Sequence, residues 1–455
     1  MKLYIIHTND IHSHLEYWDS IAEYVNLYRQ EILRRGDLLL LCDVGDAMDT
    51  VHPLVEATQG QVMVDLFNNL SYDVVTIGNN EGLNFTKNQL ETLYEKANFS
   101  VTCANLIDQQ TGDLPHWAHA FVVKEMAGFR MAFIGLTAPY ASYRLNGYQV
   151  LDVYDSLETQ LKLLESGTEP LDFIILLSHL GLQEDRIMAE RFPQLDIILG
   201  AHSHHYLPNG EMVGETLLAA CGRFGEFVGQ IEIDPCAKTI QSSTLSIEQI
   251  QELVGMEQQE DYDQKGRDLL SQEMIAELPF SLYSQRTEGA QSFIQHALTA
   301  IKQKANTQLA FLSTGLFLAD LPAGQISLNH LHEALPHPIH VASLRMRGSS
   351  MYEMLEEMRM QEDDLEYKLI AGSGFRGKIF GRFIFSGLFF DGKDWLVDGQ
   401  PIEADYQYEI ACIDHYAFVP FFPKLRDHGN IHLYFPDFIR HVMAEYLQNK
   451  FPLEG

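Results

Sequence analysis

Five short motifs carry residues that bind metal ions, and each motif follows a run of apolar residues. The motifs are Asp10-Ile11-His12, Gly45-Asp46, Gly78-Asn79-Asn80-Glu81, His179 and Gly200-Ala201-His202-Ser203-His204. Together they offer imidazole nitrogens, carboxylate oxygens and an amide oxygen but no sulfur, a set that suits Mn, Zn or Fe. Two such ions sharing a bridging carboxylate would clamp a phosphoryl group on its attacking and leaving oxygens. The motifs therefore predict metal-dependent chemistry at phosphorus.

The apolar runs predict the strands that position these motifs. They lie at residues 3–6, 38–42, 73–77, 131–136, 172–177 and 195–199. Helical periodicity at 20–34 and 156–164 falls between them, and strand alternating with helix predicts a layered α/β domain. In an open α/β sheet the loops beyond the strand C-termini converge on one crevice, so we expect the five motifs to meet there.

The second half of the chain differs in character from the first. Residues 245–277 are rich in Glu, Gln and Asp with apolar residues at helical spacing, which predicts a connecting helix. An amphipathic helix near 288–304, followed by short strands and Gly-rich turns, predicts an α+β domain. The expected division is a metal-binding domain at 1–240, a connecting helix at 241–285 and a C-terminal substrate-binding domain at 286–455.

Charge and cysteine content exclude several classes of partner. The 455-residue chain has 31 basic and 63 acidic residues and a formal net charge of −32. Such a field repels polyanions, so we expect neither a nucleic-acid polymer nor an anionic membrane as partner. Five widely spaced cysteines without a C-x-x-C pair indicate neither a disulfide framework nor a thiolate zinc site. The N-terminal apolar run is too short for a signal peptide, so a cytoplasmic location is expected.

The stretch HTNDIHSH at residues 7–14 resembles the opening motif of the calcineurin-like metallophosphoesterases. The whole chain resembles their 5′-nucleotidase branch, with further similarity at 218–233, 318–336 and 383–391. The resemblance implies a four-layer α/β/β/α metallophosphoesterase domain followed by an α+β 5′-nucleotidase C-terminal-like domain. It also implies two divalent metal ions (Mn, Zn or Fe) and a small-molecule phosphate ester, a nucleotide or a similar compound, as substrate.

The same resemblance assigns the metal ligands residue by residue. It implies Asp10, His12 and His204 for one ion, Asn79, His179 and His202 for the other, and Asp46 as the bridge between them. Asp46 and Asn80 are the predicted catalytic residues, with Asn80 donating a hydrogen bond to the phosphoryl group.

The third motif departs from the family pattern. The family usually has Gly-Asn-His-Glu and then an aspartate that orients the histidine, and here Asn80 and Leu83 occupy those two positions. An amide can donate a hydrogen bond but cannot deliver a proton. Loss of a general acid costs roughly 10²–10⁴ in rate, mainly for poor leaving groups. The predicted substrates are therefore diesters and anhydrides rather than plain monoesters.

Two alternatives remain open from the sequence. The chain could be a 5′-nucleotidase that acts on phosphomonoesters through an acid relocated to His205 or His52. It could also be a metal-binding homologue without catalysis, because both members of the His-Asp pair are replaced. Retention of all seven ligand positions argues against the second alternative.

Substrate recognition in the second domain cannot be carried over position by position. Leu318 stands where the family has a substrate-binding arginine. The candidate substrate residues are instead Phe375, Arg376, Phe380, Phe421 and Phe422. The aromatic residues are candidate walls for stacking a nucleobase, and the alternative is that they belong to the hydrophobic core.

Overall fold

A computed structural model describes residues 1–237, 239–255, 260–370, 372 and 374–453. The chain forms two compact units, residues 1–266 and residues 267–455. Among the described residues the first unit has three hydrophobic clusters and the second has one.

The first unit alternates strands with helices. Its described strands are β1 (Leu3–Thr8), β2 (Leu38–Asp43), β3 (Val74–Thr76), β4 (Ser100–Thr102), β5 (Leu106–Asp108), β6 (Phe121–Met126), β7 (Phe129–Thr137), β8 (Tyr148–Val150), β9 (Phe173–His179), β10 (Ile197–Gly200), β11 (Glu211–Val213), β12 (Thr216–Ala219), β13 (Phe227–Asp234) and β14 (Thr239–Ser246). Its described α-helices are α1 (Trp18–Arg34), α2 (Pro53–Ala57), α3 (Gln61–Leu70), α4 (Asn79–Asn84), α5 (Lys87–Leu93), α6 (Val153–Glu165), α7 (Leu182–Arg191), α8 (Ile247–Val254) and α9 (Tyr262–Gln272), the last of which runs across the unit boundary. All six predicted strands and both predicted helices are present.

Two six-stranded sheets form the middle layers of the first unit, with strand orders β14-β13-β1-β2-β3-β4 and β11-β12-β10-β9-β7-β6. Successive side chains of a strand point to opposite faces. Ile5 of β1 and Ile175 of β9 therefore meet in the cluster between the sheets. Ile6 packs outward with side chains of α1 and α3, and Leu176 packs outward with side chains of α6 and α7. The predicted four-layer α/β/β/α arrangement is confirmed.

Parallel pairing brings the ends of the central strands to common edges. In the first sheet β1 pairs parallel with β2, and β2 with β3; in the second, β9 pairs parallel with β7 and with β10. The C-terminal ends of these strands thus lie side by side in each sheet, and the loops that follow them carry the five motifs.

The segment predicted as one connecting helix is not a single helix. It begins with the end of β14, continues as α8 and α9, and ends in the first strand of the second unit. Gly255 ends α8 with φ 64°, a left-handed conformation that glycine adopts without steric cost. Residues 256–259 of the predicted helix lie outside the described residues.

The second unit is built on a mixed sheet. Its described strands are β15 (Met274–Leu278), β16 (Leu309–Ser313), β17 (Gly324–Ser327), β18 (His340–Arg347), β19 (Phe383–Ser386), β20 (Leu388–Phe390), β21 (Trp395–Val397), β22 (Gln400–Pro401), β23 (Gln407–Ile413) and β24 (Asn430–Phe438). Its described α-helices are α10 (Phe293–Ala305), α11 (Leu328–Ala334), α12 (Gly348–Met360), α13 (Glu362–Glu366), α14 (His415–Phe418), α15 (Pro423–His428) and α16 (Ile439–Lys450). The largest sheet has the order β19-β16-β23-β18-β24, in which only β16 and β23 are parallel. This is the predicted α+β unit. Across the described parts of both units, every helix is too short or too polar to cross a bilayer.

Candidate metal centre

The loops at the C-terminal ends of five strands carry the predicted ligands. These are Asp10 and His12 after β1, Asp46 after β2, Asn79 after β3, His179 at the end of β9, and His202 and His204 after β10. The two sheets thus contribute to the same set of loops, although the motifs are far apart in sequence.

Left-handed backbone conformations are concentrated at this set of loops. The residues concerned are Asp10 (φ 50°), His12 (φ 48°), Asp46 (φ 50°), His202 (φ 71°) and His204 (φ 55°). Such conformations cost a non-glycine residue about 1–3 kcal/mol and persist only where the surrounding structure imposes them. Their concentration at five polar residues indicates that these loops are shaped for function rather than for stability.

The first group comes from Asp10, His12 and His204. Each residue offers one ligand atom, and these three atoms all lie within 4.8 Å of one another. The Nε2 atoms of His12 and His204 are 3.2 Å apart, and Nε2 of His204 is 3.5 Å from Oδ1 of Asp10. The Asp10 carboxylate also accepts hydrogen bonds from Nδ2 of Asn9 at 2.8 Å and from the backbone N–H of His202 at 3.0 Å. These bonds fix the carboxylate in place beside the two imidazoles.

The second group comes from Asp46, His179 and His202, again with all ligand atoms within 4.8 Å. Nδ1 of His179 donates to the carbonyl of Val44 at 2.7 Å, which leaves Nε2 as the nitrogen that can bind a metal. Oδ1 of Asn79 is buried and has no hydrogen-bond partner among the described residues. A buried, unpaired polar atom costs about 1–3 kcal/mol, and a cation would satisfy this one. The residues present therefore fit a divalent metal ion.

Asp46 belongs to the second group but also lies beside a ligand of the first, His12. Its Oδ2 is 3.3 Å from Nε2 of His179 and 3.7 Å from Nε2 of His12. Burial alone would raise the pKa of Asp46, but the two imidazoles outweigh burial and hold that pKa well below its usual range. Burial likewise lowers the pKa of His179, whereas the Asp46 carboxylate outweighs it and raises that pKa to about 10. A cation bound here would replace the proton on Nε2 of His179, since ligation requires the unprotonated nitrogen.

Comparison with known proteins agrees with this geometry. Residues 3–206 match the calcineurin-like phosphoesterase family, and residues 274–418 match the 5′-nucleotidase C-terminal domain. The chain is 32% identical to the uncharacterized metallophosphoesterase YunD of Bacillus subtilis, over 97% of this chain and 98% of YunD. The chain belongs to the metallophosphoesterase family. The resemblance seen in the sequence is thereby confirmed.

Solved structures show that the fold of this metallophosphoesterase is shared along its whole length. A 5′-nucleotidase precursor from Thermus thermophilus aligns with a TM-score of 0.57 at 21% identity, covering 100% of this chain and 97% of that one. The NAD nucleotidase of Haemophilus influenzae aligns with a TM-score of 0.58 at 17% identity, covering 99% and 96%. Members of the metallophosphoesterase family are hydrolases that use divalent metals, and the two ligand groups above are candidate sites for them.

Glu81 supports the metallophosphoesterase site and has no role in the sequence prediction. Its carboxylate accepts hydrogen bonds from the backbone N–H groups of Asp46 at 3.0 Å, Gly78 at 2.9 Å and Met48 at 3.0 Å. These bonds join the loop after β2 to the start of α4. Glu81 is 1% exposed. The feature of the sequence that could have indicated its role is an acidic residue inside a metal-binding motif.

Tyr140 is a second residue near the site that the sequence prediction does not include. Its hydroxyl is 3.5 Å from Nε2 of His202, and the side chain is 44% exposed. Tyr140 follows β7, whose C-terminal end lies beside that of β9. Loops that follow the C-terminal ends of neighbouring parallel strands converge, and this applies to the loop after β7 too. The sequence after β7 contains no recognisable motif, however.

The histidines considered as relocated acids have other contacts. Nδ1 of His52 accepts a hydrogen bond from the N–H of Leu54 at 3.1 Å and so caps α2. Nδ1 of His205 and the hydroxyl of Ser203 are 2.7 Å apart. A proton-donor role for either histidine stays a prediction.

The aromatic substrate residues are mostly buried. Phe375, Phe380 and Phe422 are 3%, 0% and 1% exposed and belong to the hydrophobic core of the second unit. The ring of Phe375 stacks on His337 at 5.1 Å and on His415 at 5.3 Å between ring centroids. The three rings thus pack in the core, as the alternative interpretation of the sequence expects, and a base-stacking role for them stays a prediction.

Phe421 and Arg376 are more accessible than the three buried rings. Phe421 is half-buried, and the ammonium group of Lys368 lies 5.3 Å from the centre of its ring. The backbone N–H of Arg376 donates to Nδ1 of His337 at 2.9 Å. A substrate role for these two residues stays a prediction.

Proposed function

We propose that this metallophosphoesterase hydrolyses nucleotides or nucleotide-like phosphate esters with two divalent ions, and that it favours diesters and anhydrides. The observation that carries the proposal is the pair of ligand groups with Asp46 between them. Divalent ions bound at both groups would stabilise charge on a phosphoryl group and activate water for in-line attack. All seven residues that hold them are present, which a protein serving only as a scaffold would not need.

Different residues of the chain would bind the two ions. Asp10, His12 and His204 would bind one ion, Asn79, His179 and His202 the other, and Asp46 would contact both. Asn9, the backbone of His202 and the carbonyl of Val44 orient the ligands by the hydrogen bonds described above. Such outer contacts fix the orientation and tautomer of a ligand before substrate arrives.

The leaving group decides the proposed substrate class. Asn80 stands where related enzymes have a histidine, and its amide cannot protonate a departing oxygen. Anhydrides and aryl esters leave readily without protonation, whereas a ribose alkoxide does not. The similarity in fold to an NAD nucleotidase is compatible with an anhydride substrate.

The thiols support a cytoplasmic location as part of the proposal. Cys42, Cys103, Cys221, Cys236 and Cys412 are all free. Unpaired and mostly buried cysteines are typical of a reducing compartment.

Turnover by the full chain tests the proposal. The protein is freed of metal with a chelator and reloaded with Mn²⁺, Zn²⁺ or Fe²⁺, and then assayed on bis(p-nitrophenyl) phosphate, NAD and 5′-AMP. We expect metal-dependent hydrolysis with kcat/KM at least about tenfold higher for the diester or the anhydride than for 5′-AMP, because only 5′-AMP needs an acid. A preference for 5′-AMP would instead identify a monoesterase with a relocated acid. Absence of turnover with every metal would identify a non-catalytic homologue.

A further inference from the structure

The loop between β12 and β13, residues 220–226, lies beside the metal centre although it contains none of the five motifs. β12 pairs parallel with β10, so its C-terminal end lies at the same edge of the sheet as the end of β10. Nδ2 of Asn9 donates to the carbonyl of Gly222 at 2.8 Å, and the backbone N–H of Phe224 donates to the carbonyl of Asp10 at 2.8 Å. These bonds fix the loop against the loop that follows β1.

The ring of Phe224 lies beside the first group of ligands. Its backbone is left-handed, with φ 61°, a conformation that a non-glycine residue keeps only where the surrounding structure imposes it. The ring centre is 5.8 Å from that of His12 and 6.1 Å from that of His204. The ring of His14 stacks on Phe224 at 3.9 Å between ring centroids. The half-buried ring thus forms a wall next to two of the ligands.

Arg223 places a positive charge at this wall. Its guanidinium lies 4.5 Å from the ring centre of Phe224, a cation–π contact. The side chain is exposed, and among the described residues no carboxylate forms an ion pair with it. In a chain with 63 acidic and 31 basic residues, an arginine in this situation is available to bind an anion.

The segments that carry the metal ligands contain neither Lys nor Arg. These segments are residues 9–17, 43–52, 77–86, 179–185 and 201–210. Bound metal ions would be the main positive charge for a substrate there, and the guanidinium of Arg223 lies in the adjoining loop. A substrate with a second anionic group, next to the one that the ions bind, would meet this guanidinium.

The amide of Asn80 does not replace a missing acid. Its Nδ2 is 2.9 Å from Nδ1 of His12, and its Oδ1 accepts a hydrogen bond from Nδ2 of Asn79 at 3.1 Å. An amide delivers no proton. A leaving group that departs unprotonated keeps its negative charge, and a guanidinium stabilises such charge without transferring a proton.

We propose that Arg223 binds the phosphate of the leaving group when the substrate is a pyrophosphate, such as a dinucleotide or a nucleoside diphosphate. The inference rests on the proposed function, and it adds a specificity-determining residue for anhydrides. In the reaction a water oxygen bonds to one phosphorus, and the bond from that phosphorus to the bridging oxygen breaks. The bridging oxygen keeps the electron pair and becomes an oxygen of the leaving phosphate. One proton of the water passes to solvent, and the other remains on the new phosphate.

The charge that develops in this step explains why a guanidinium would act selectively. The leaving phosphate gains one negative charge as the bridging bond breaks, so its contact with Arg223 is stronger in the transition state than in the bound substrate. A guanidinium and a phosphate form bidentate hydrogen bonds. An aryl diester has a phenolate as its leaving group, and a phenolate offers no second phosphate to Arg223.

Kinetics of the full chain reloaded with Mn²⁺ test the proposal. Wild type, Arg223→Ala and Arg191→Ala are assayed on NAD and on bis(p-nitrophenyl) phosphate. We expect Arg223→Ala to lower kcat/KM for NAD about tenfold, the lower end of the effect of a hydrogen bond to a charged group, because the side chain is exposed. For the aryl diester, kcat/KM should stay within about twofold of wild type.

Arg191 provides the matched control. Its side chain is also exposed, and its guanidinium lies 4.7 Å from the ring centre of Tyr154. It is the last residue of α7, roughly 15 Å along the helix axis from the start of α7 beside His179. Arg191→Ala removes the same charge and the same kind of ring contact away from the metal centre, so kcat/KM for both substrates should stay at the wild-type value.

Binding without turnover gives a second measurement. The methylene analogue of ADP, in which a carbon replaces the bridging oxygen, and the phosphonate analogue of AMP are titrated into Mn²⁺-loaded protein by calorimetry. Arg223→Ala should bind the ADP analogue about tenfold more weakly than wild type does, and the AMP analogue within about twofold, because the AMP analogue has no second phosphate. Arg223→Lys should recover part of the affinity for the ADP analogue, since an ammonium group binds phosphate as a point charge.

Three results would overturn the inference while the proposed function stands. The first is hydrolysis of NAD by Arg223→Ala at the wild-type kcat/KM. The second is an equal loss on NAD and on the aryl diester, which would show that Arg223 acts on the phosphoryl group common to both or on the fold. The third is an Arg223→Lys variant that binds the ADP analogue no better than Arg223→Ala does.

The binding measurement also separates failure of the proposed function from failure of this inference. Wild type that hydrolyses no substrate with any metal, yet binds the ADP analogue more tightly than Arg223→Ala does, would refute the proposed function and support the phosphate contact of Arg223. Absence of turnover together with equal binding by wild type and Arg223→Ala would refute both.

Discussion

His179 of the first unit and His337 of the second are both 0% exposed, yet their surroundings give them opposite character. Nε2 of His337 donates to the carbonyl of Leu316 at 2.8 Å, and its Nδ1 accepts from the N–H of Arg376. Both nitrogens of His337 are thus satisfied by backbone groups. His179 has one nitrogen on a carbonyl and the other 3.3 Å from the carboxylate of Asp46.

The pKa values follow from this difference. Burial, helped by the charges of Arg376 and Arg440, lowers the pKa of His337 to about 4. The Asp46 carboxylate raises that of His179 to about 10 in spite of burial. Burial alone therefore does not mark a functional histidine. A functional histidine is marked by a second nitrogen that faces a carboxylate or another metal ligand rather than a backbone group.

The largest expected effect comes from removing the carboxylate that faces His179. Asp46→Asn takes one negative charge from between the two groups and should lower kcat by about 10³-fold or more, with loss of at least one bound ion. Metal content by mass spectrometry and steady-state kinetics check this. Asp65→Asn, an exposed acid on α3, serves as control. Full metal content with unchanged activity would refute the role of Asp46.

Removal of a buried ring from the second unit should affect stability instead of turnover. Phe380 is 0% exposed, and Phe380→Ala should lower the free energy of unfolding by about 3–5 kcal/mol, since it leaves a cavity in the core. Denaturant titration measures this. The milder Phe380→Leu should keep the wild-type KM for nucleotides. A large rise in KM with little loss of stability would show instead that Phe380 contacts the substrate.

The pH dependence of stability tests the character of His337. Because the pKa of His337 falls from its ordinary value to about 4 on folding, the unfolded chain binds the proton more readily between these two values. Above about pH 6.5 the titration of His337 therefore costs no stability. As the pH falls towards about 4, it lowers the free energy of unfolding by up to about 3 kcal/mol. His337→Gln, which cannot titrate, should show a smaller loss between pH 7 and pH 4.5 in denaturant titrations. An equal loss in variant and wild type would contradict this account.

The smallest effect is expected at the exposed aromatic residue beside the metal centre. Tyr140→Phe removes a hydroxyl 3.5 Å from Nε2 of His202 and should change kcat/KM by about two- to tenfold, the worth of one hydrogen bond. Because the side chain of Tyr140 is 44% exposed, the free energy of unfolding of the variant should stay within about 0.5 kcal/mol of the wild-type value. Kinetics and melting curves check the two parts. A large loss of stability would make Tyr140 a structural residue like Phe380.

Local patterns in the sequence were enough to predict much of the first unit. Asp10 and His12 follow one short apolar run, and His202 and His204 follow another. Buried parallel strands are recognisable from such runs, and their C-terminal ends converge by geometry, whatever the details of packing. The resemblance to a known family then supplied the four layers and the pairing of ligands.

The aromatic residues could not be placed in the same way. A phenylalanine in the core and one that stacks on a ligand have the same local sequence, because burial depends on which distant segments pack around the ring. His337 and His415 enclose Phe375, and neither is its neighbour in sequence. The connecting segment shows the same limit, because its helical pattern spans a left-handed turn at Gly255 that ends the first of two helices.

By itself, the sequence determined the types of ligand, their order and their position after strands, because these are properties of short segments. Tertiary structure alone decided which atoms remain unpaired and which are already occupied. Asn80 and His12 are 68 residues apart, and their contact exists only because β1 and β3 end at the same edge of the sheet. The residue type of Asn80 shows what an amide can donate or accept, whereas the partners that its amide meets follow from the tertiary structure.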